Sequence, residues 1–258
     1  VIIHMVRCFD SEKIQNVNKS INPIRDLEII ETEMMLADLE SIQKRLTKNN
    51  KKNLEKNQQE ILEITLKLIN ENKEFNIIKE KFDSSEIKLI GLLSLKPKLY
   101  VCNVGEESIK NGNSYTNSFI KKFGDENTII ISADIENQIN QLQNEEKKKY
   151  MEMFKVTETG LDLLIKKAYK KLELETFFTS GPVESRAWTV PKNCFAPKAA
   201  GIIHSDFEKG FIRSETISYG DFVKNNGWAN AKQNGKMRLE GKDYIVQDGD
   251  VLNFRFNT

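Results

Sequence analysis

Histidine and cysteine are scarce in this sequence. Two histidines, His4 and His204, argue against a His-rich metal site. Three cysteines, Cys8, Cys102 and Cys194, lie far apart without a CxxC spacing. That argues against a zinc knuckle or a disulfide framework and suits a reducing cytoplasm. Charge of one sign is also missing. Lys+Arg 39 against Asp+Glu 38 gives no global positive field for nucleic acid, although a local patch stays open. No apolar run approaches the ~20 residues needed to span a bilayer, and no signal peptide is recognisable. Finally, there is no GxxxxGK followed by Ser or Thr. The sequence therefore shows neither a backbone cradle nor a lysine for β- and γ-phosphates, and no obvious Asp partner for Mg²⁺.

What is present is a 258-residue chain, 39% apolar and 30% charged, enough for one large domain or two to three small ones. It opens with "VIIHMVRCF", a strand-like run without a preceding Met, so we expect an N-terminal part to precede it. Residues 3–9 read as a core strand. "NPIRDLEIIETEMMLADLESIQKRL" starts a helix at Pro23, with Asp26 and Glu28 near its positive end. A second apolar stripe at helical spacing runs from Leu54 to Phe82, after the polar "TKNNKKN". Two stripes around a polar turn predict an antiparallel, coiled-coil-like hairpin, or else a plain helical pair inside a larger core.

Residues 95–175 return to strand–helix alternation. "KLYVCNV" and "NTIIISAD" read as strands, "SYTNSFIKKFG" and "GLDLLIKKAYKKLEL" as helices. Apolar strands separated by helices indicate a parallel α/β sheet, which binds ligands beyond the carboxyl ends of its strands. From about Phe177 the chain has short β-branched and aromatic runs punctuated by Gly and Asp. "QDGD" before "VLNFRF" is an Asp-Gly turn signal. With the short helix "SYGDFVKN", this predicts a separate, mostly β domain.

The carboxyl end of "KLYVCNV" carries the most informative phrase, Asn103-Val104-Gly105-Glu106. An Asn amide presents a donor and an acceptor side by side, matching N7 and N6 of adenine, or N7 of guanine with one partner mismatched. A carboxylate three residues on suits the N1 and N2 donors of guanine, and GTP-specific folds place Asn-Lys-x-Asp here. Val104 stands where that phrase has Lys. Glu106 stands where it has Asp and is one methylene longer. The expected consequence is lost guanine selectivity with adenine accepted. Ser132 and Ala133 follow the next strand, where small residues let backbone N–H groups approach a base. Both phrases also fit ordinary strand-ending turns. In "AAGIIHSDFEKGFIRSE", His204 and Asp206 fit an acid/base pair or an exposed strand. Lys209, Arg213, Phe207 and Phe211 fit RNA by charge and stacking, or ordinary surface and core.

"HMVRCF", "NPIRDLEIIETEMMLADLE", "LKPKLYVCNVGE", "TFFTSGPVESRAWTVP", "APKAAGIIHSDFEKGFIRSETISYGDF" and "EGKDYIVQDGDVLNFRFN" together resemble the YchF family. This is a branch of the Obg-related translation-factor GTPases, and the likeness runs from His4 to the C-terminus. The resemblance implies an α/β fold: a partial P-loop NTPase (G domain) parallel sheet, an inserted α-helical coiled-coil hairpin, and a C-terminal β-grasp (TGS) domain. The implied limits are residues 1–36 and 91–176 for the G domain, 37–90 for the insertion and 177–258 for TGS. It implies ATP hydrolysis in preference to GTP, with Mg²⁺, in a cytoplasmic, ribosome-associated monomer without a membrane partner. Contacts to ribosomal RNA would run through the hairpin and TGS. The family's base motif, Asn-x-x-Glu, falls on Asn103 and Glu106. Val104 is implied to pack by the base, and Ser132 and Ala133 form the last base-contact loop. No catalytic or metal-binding residue falls within the chain, since P-loop, switch and Mg²⁺ elements would lie upstream. We therefore expect the chain to be inactive alone. A non-enzymatic ribosome- or RNA-binding module is the competing expectation. A partial G domain should also leave an uncovered sheet edge near residues 3–9 or 99–103.

Overall fold

A computed structural model describes residues 1–11, 20–153 and 157–257. The chain divides into two units, Val1–Ala168 and Tyr169–Thr258.

The first unit is built on β1 (Ile2–Arg7), β2 (Lys98–Asn103) and β3 (Thr128–Ile131), parallel and in the order β1-β2-β3. Of the two segments expected to leave an uncovered edge, β1 is an edge among the described residues. β2 is not, because β3 pairs along its other side. Period-2 alternation sends His4 and Val6 of β1 inward and leaves Ile3 and Met5 exposed.

Helix α1 (Pro23–Arg45) starts where Asn22 accepts from the Arg25 N–H and Pro23 takes the first turn. It serves two cores. Its first half buries Leu27 with Val6, Cys8, Tyr100, Cys102, Val104 and Phe119. The short α2 (Lys48–Lys51) follows and buries no residue, while the second half of α1 buries Ile42 among α3 (Lys56–Asn70), α4 (Asn76–Lys81) and α5 (Ser84–Ile90). The second stripe, Leu54 to Phe82, is thus two helices, α3 and α4, rather than one: "ENKEF" at 71–75 interrupts it, and the capping box of Asp83 and Glu86 starts α5 just beyond it. Ile61, Leu62, Leu68, Ile78 and Phe82 then converge as a compact cluster. Gly91 ends α5 in the left-handed region (φ 76°), where a side chain would be strained.

Asp38 fixes the return to the sheet. Buried in α1, its carboxylate accepts from the Leu93 N–H, the Ser94 N–H and the Ser94 hydroxyl at 2.8, 2.7 and 2.6 Å. Beyond β2 come α6 (Ser114–Phe123), then β3, α7 (Ala133–Gln141), α8 (Asn144–Met153) and α9 (Gly160–Lys171). α6 lays Phe119 and Phe123 against Tyr100, with ring centroids 4.5–5.6 Å apart.

The second unit contains β4 (Leu174–Ser180), β5 (Ser185–Pro191), α10 (Ala196–Ile203), α11 (Ser205–Lys209), β6 (Phe211–Ser218), α12 (Tyr219–Lys224), α13 (Trp228–Gln233), β7 (Arg238–Glu240) and β8 (Asp250–Phe256). Its mixed sheet runs β5-β4-β8-β6-β7, with β4 and β8 parallel at the centre. Two hairpin-like arms joined through helices on one face make a β-grasp arrangement. Phe177, Val190, Ala196, Ala199, Ala200, Leu252 and Phe254 fill the layer between sheet and α10. "QDGD" is a turn, as its sequence predicts: Gly249 has φ 82° and its N–H donates to the Thr176 carbonyl. Gly210 is required by space. A Cβ there would lie 1.9 Å from the Asn257 carbonyl oxygen.

"AAGIIHSDFEKG" is helical rather than the exposed strand its alternation suggested. Pro197 in the first turn of α10 is the signal that outweighs alternation.

Candidate base-binding site

The parallel register carries two loops to one end of the sheet. Asn103 closes β2 opposite Ile131, the last residue of β3. The Val104 N–H donates to the Ile131 carbonyl at 2.9 Å, and the Cys8 N–H to the Asn103 carbonyl at 2.8 Å. Asn113, the cap of α6, donates through Nδ2 to the Cys8 carbonyl at 2.7 Å and so ties the β1 end to the same corner.

The two loops meet directly. The Ala133 N–H donates to Asn103 Oδ1 at 3.0 Å. An N–H needs an oxygen, so this bond fixes which way the amide faces. Oδ1 is engaged, and Nδ2 is the group left to donate. A lone donor matches purine N7, which adenine and guanine share. Nδ2 has no hydrogen-bond partner among the described residues, and the bond uses one of the two lone pairs of Oδ1 on the same amide. The Ala133 N–H, expected to approach a base edge, is likewise engaged.

Ser132 caps the start of α7 and is fully buried. Its Oγ has no hydrogen-bond partner among the described residues. A buried hydroxyl without a partner costs about 1–3 kcal/mol, so the loop carries unfilled hydrogen-bonding capacity beside Asn103.

Glu106 opens the short 3-10 turn Glu106–Ser108 and is exposed. Its Oε1 accepts from Gln138 Nε2 of α7 at 3.1 Å. The extra methylene that distinguishes Glu from Asp thus reaches a partner on the helix that Ala133 begins. Gln138 carries no sequence signal of its own, since α7 is a short, mostly polar stretch.

Val104 departs from its expected role. It is 2% exposed and sits in the core with Val6, Leu27 and Phe119. It supports the loop from beneath and offers no face for a base.

The other sequence candidates separate. His204 Nδ1 accepts from the Asp206 N–H at 3.2 Å and lies 3.5 Å from Asp206 Oδ2, which makes His204 the cap of α11. Phe211 is buried in the core of the second unit, and Phe207 stacks on Phe256 with centroids 3.9 Å apart. Neither ring is free to stack on RNA. No cluster of three His, Cys, Asp or Glu side chains able to hold a metal occurs among the described residues. No helix among them is long and apolar enough to cross a membrane.

Residues 174–257 match the family model YchF-GTPase_C, described as "Protein of unknown function (DUF933)". Over 99% of its length the chain is 41% identical to the "Ribosome-binding ATPase YchF" of Bacillus subtilis (strain 168), of which it covers 73%. The chain belongs to the YchF family. The protein of that name from Escherichia coli O157:H7 is 40% identical over 98% of this chain and 72% of its own length. The "Structure of the Schizosaccharomyces pombe YchF GTPase" superposes with a TM-score of 0.79 at 30% identity, covering 98% of this chain and 71% of that one. A "GTP binding protein from Pyrococcus horikoshii OT3" shares the fold at TM-score 0.60 and 17% identity, over 99% and 78% of the two chains. The YchF match 174–257 begins where β4 begins.

Proposed function

We propose that this YchF-family chain carries the base-binding end of an ATP site in a cytoplasmic, ribosome-associated, monomeric P-loop protein. The observation that carries the reading is the bond from the Ala133 N–H to Asn103 Oδ1. It joins the two loops that the family motif assigns to the base and leaves Nδ2 to donate to purine N7. Because N7 is common to both purines, preference falls to Glu106. Its carboxylate, one methylene longer than Asp and turned toward Gln138, is drawn out of the bidentate geometry that guanine N1 and N2 need, while a single acceptor still suits adenine N6. Ser132 and Ala133 complete the loop, and Val104 supports it from below.

In this reading residues 1–36 and 91–176 are G-domain parts, 37–90 the helical insertion and 177–258 the TGS domain. Phosphoryl transfer needs a phosphate cradle and Mg²⁺, neither of which the described residues supply. For the 258 residues alone we expect weak purine binding, in the millimolar range, and no hydrolysis. The names of the relatives, "Ribosome-binding ATPase YchF", support both the ribosome and the ATP.

Competition between ATP and GTP for the chain tests the base. ATP is expected to displace a fluorescent adenine nucleotide at lower concentration than GTP. Tighter GTP binding by about tenfold would sink the adenine reading.

A second reading is a non-enzymatic module that docks on the ribosome through the insertion and the TGS domain. The self-contained core of the second unit favours it. Co-sedimentation with ribosomes, with and without ATP, separates the two: binding indifferent to nucleotide supports the module.

A further inference from the structure

One helix holds both side chains that the family motif assigns to the base. The Ala133 N–H at the start of α7 donates to Asn103 Oδ1, and Gln138 further along α7 donates to Glu106. The position of α7 therefore sets the position of both. Ile135 and Ile139 bury its inner face. Apolar burial is non-directional, so it fixes how deep the helix lies and leaves its placement along its own axis to a directional contact.

Glu136 supplies that contact. Its backbone N–H donates to the Ser132 carbonyl at 2.9 Å, within the first turn of α7. Its half-buried carboxylate reaches out of α7 and accepts from the N–H of Gly160, the first residue of α9, at 2.6 Å. A first helical N–H has no acceptor inside its own helix, and a carboxylate there meets the positive end of the helix dipole. The hydroxyl of Thr159, just before it, is taken up with Asp162. It donates to Asp162 Oδ2 at 2.7 Å and accepts from the Asp162 N–H at 3.1 Å.

α9 is in turn fixed along β3. Lys167 Nζ donates to the Asp125 and Thr128 carbonyls at 2.8 and 2.7 Å, at the start of the strand. At its end, the backbone of Gly160 passes directly against Ile131. A Cβ on Gly160 would lie 2.4 Å from Ile131 Cγ2 and 2.9 Å from Glu136 Oε1. Gly160 is thus the one point where α9, the last residue of β3 and the carboxylate from α7 come together.

We infer that Glu136 is a positioning residue of the base site. It ties α7 to the frame made by β3 and α9, and through α7 it sets Ala133 against Asn103 and Gln138 against Glu106. The inference rests on the base-site reading above for its ligand, and it adds a residue that touches neither base nor phosphate.

The test uses the full ¹⁵N-labelled chain. Without nucleotide, hydrogen exchange of the Ala133 amide reports its bond to Asn103. Titration with ATP then reports the site. Glu136→Ala should speed exchange at Ala133 by about tenfold while the amides of Val101 and Ile129, inside the sheet, keep their protection. The same variant should weaken ATP about fivefold. Glu136→Gln keeps an oxygen for the Gly160 N–H and should restore most of both. Lys166→Ala, which removes the surface ion pair of α9 with Glu158, should change neither. Unchanged exchange at Ala133 in Glu136→Ala would overturn the inference. So would faster exchange spread evenly over Val101 and Ile129, or no recovery in Glu136→Gln. If the unaltered chain shows no ATP-dependent shifts, the base reading falls, while exchange at Ala133 still decides whether Glu136 holds α7.

Discussion

The backbone N–H of Ala133 donates to Asn103 Oδ1 at 3.0 Å, joining the loops after β3 and β2. This bond does two things at once. It holds the two loops at one end of the sheet, and in the proposed site it turns Nδ2 of Asn103 to the ligand as the donor. Base discrimination then moves from the Asn to the acid that follows it.

Glu106 is the first test of that division of labour. Glu106→Asp shortens the side chain, withdraws it from Gln138 and creates the Asn-x-x-Asp phrase of GTP-specific folds. We expect the ATP:GTP affinity ratio to move toward GTP by about tenfold, or ~1.4 kcal/mol. Competition titration reads it, and an unchanged ratio would mean that Glu106 does not tune the base.

Asp38 carries a structural prediction. Asp38→Ala leaves the Leu93 N–H, the Ser94 N–H and the Ser94 hydroxyl without their acceptor. A loss of about 3 kcal/mol in urea unfolding is expected. A loss below about 1 kcal/mol would show that water replaces the carboxylate.

Gly210→Ala should damage the second unit alone. The added methyl meets the Asn257 carbonyl at 1.9 Å, so the β8 end must shift. We expect about 2 kcal/mol, a drop of roughly 10 °C in the melting of that unit. Hydrogen exchange resolves the units. Equal loosening in residues 1–168 would contradict a local effect.

His4 gives the pH dependence. Burial pushes its imidazole below the usual 6.5, and Lys98 pushes the same way, while Glu31 opposes them. Nε2 is buried without a hydrogen-bond partner among the described residues. A lowered value means that the fold prefers the neutral ring. This contribution to stability is present above pH 6.5 and is lost as pH falls below it. His4→Phe keeps a ring beside Tyr100 and should flatten the melting temperature between pH 5 and 6.5. A slope unchanged by the substitution would assign it to other groups.

Much of the first unit was legible because apolar period and neighbourhood agree. "KLYVCNV" is buried on both faces and is a central strand; "NPIRDLEII" has its cap, its proline and its stripe. Position within the site was legible only in part. Spacing put Asn103 and Ser132 at strand ends, but which atom of the amide stays free depends on a tertiary hydrogen bond from 30 residues away. Val104 looked like a loop residue because sequence carries no depth. The second stripe conceals its break at 71–75, where a short, mostly polar phrase outweighs a continuous apolar pattern. α10 and α11 were hidden by alternation in "GIIHSDF" that the helix-starting Pro197 overrides.

Asn103→Asp tests the central claim most directly. Aspartate keeps an oxygen for the Ala133 N–H and removes the donor to purine N7, so it separates the loop pin from base recognition. Titration of the ¹⁵N-labelled chain with ATP, followed by NMR, reads both. In the unaltered chain the Asn103 side-chain amide and the residues of the 132–134 loop should shift with ATP in the millimolar range. In Asn103→Asp the Ala133 amide should keep its hydrogen-bonded position without ATP, and the ATP-dependent shifts should vanish. ATP-dependent shifts of equal size in the two proteins would contradict the account.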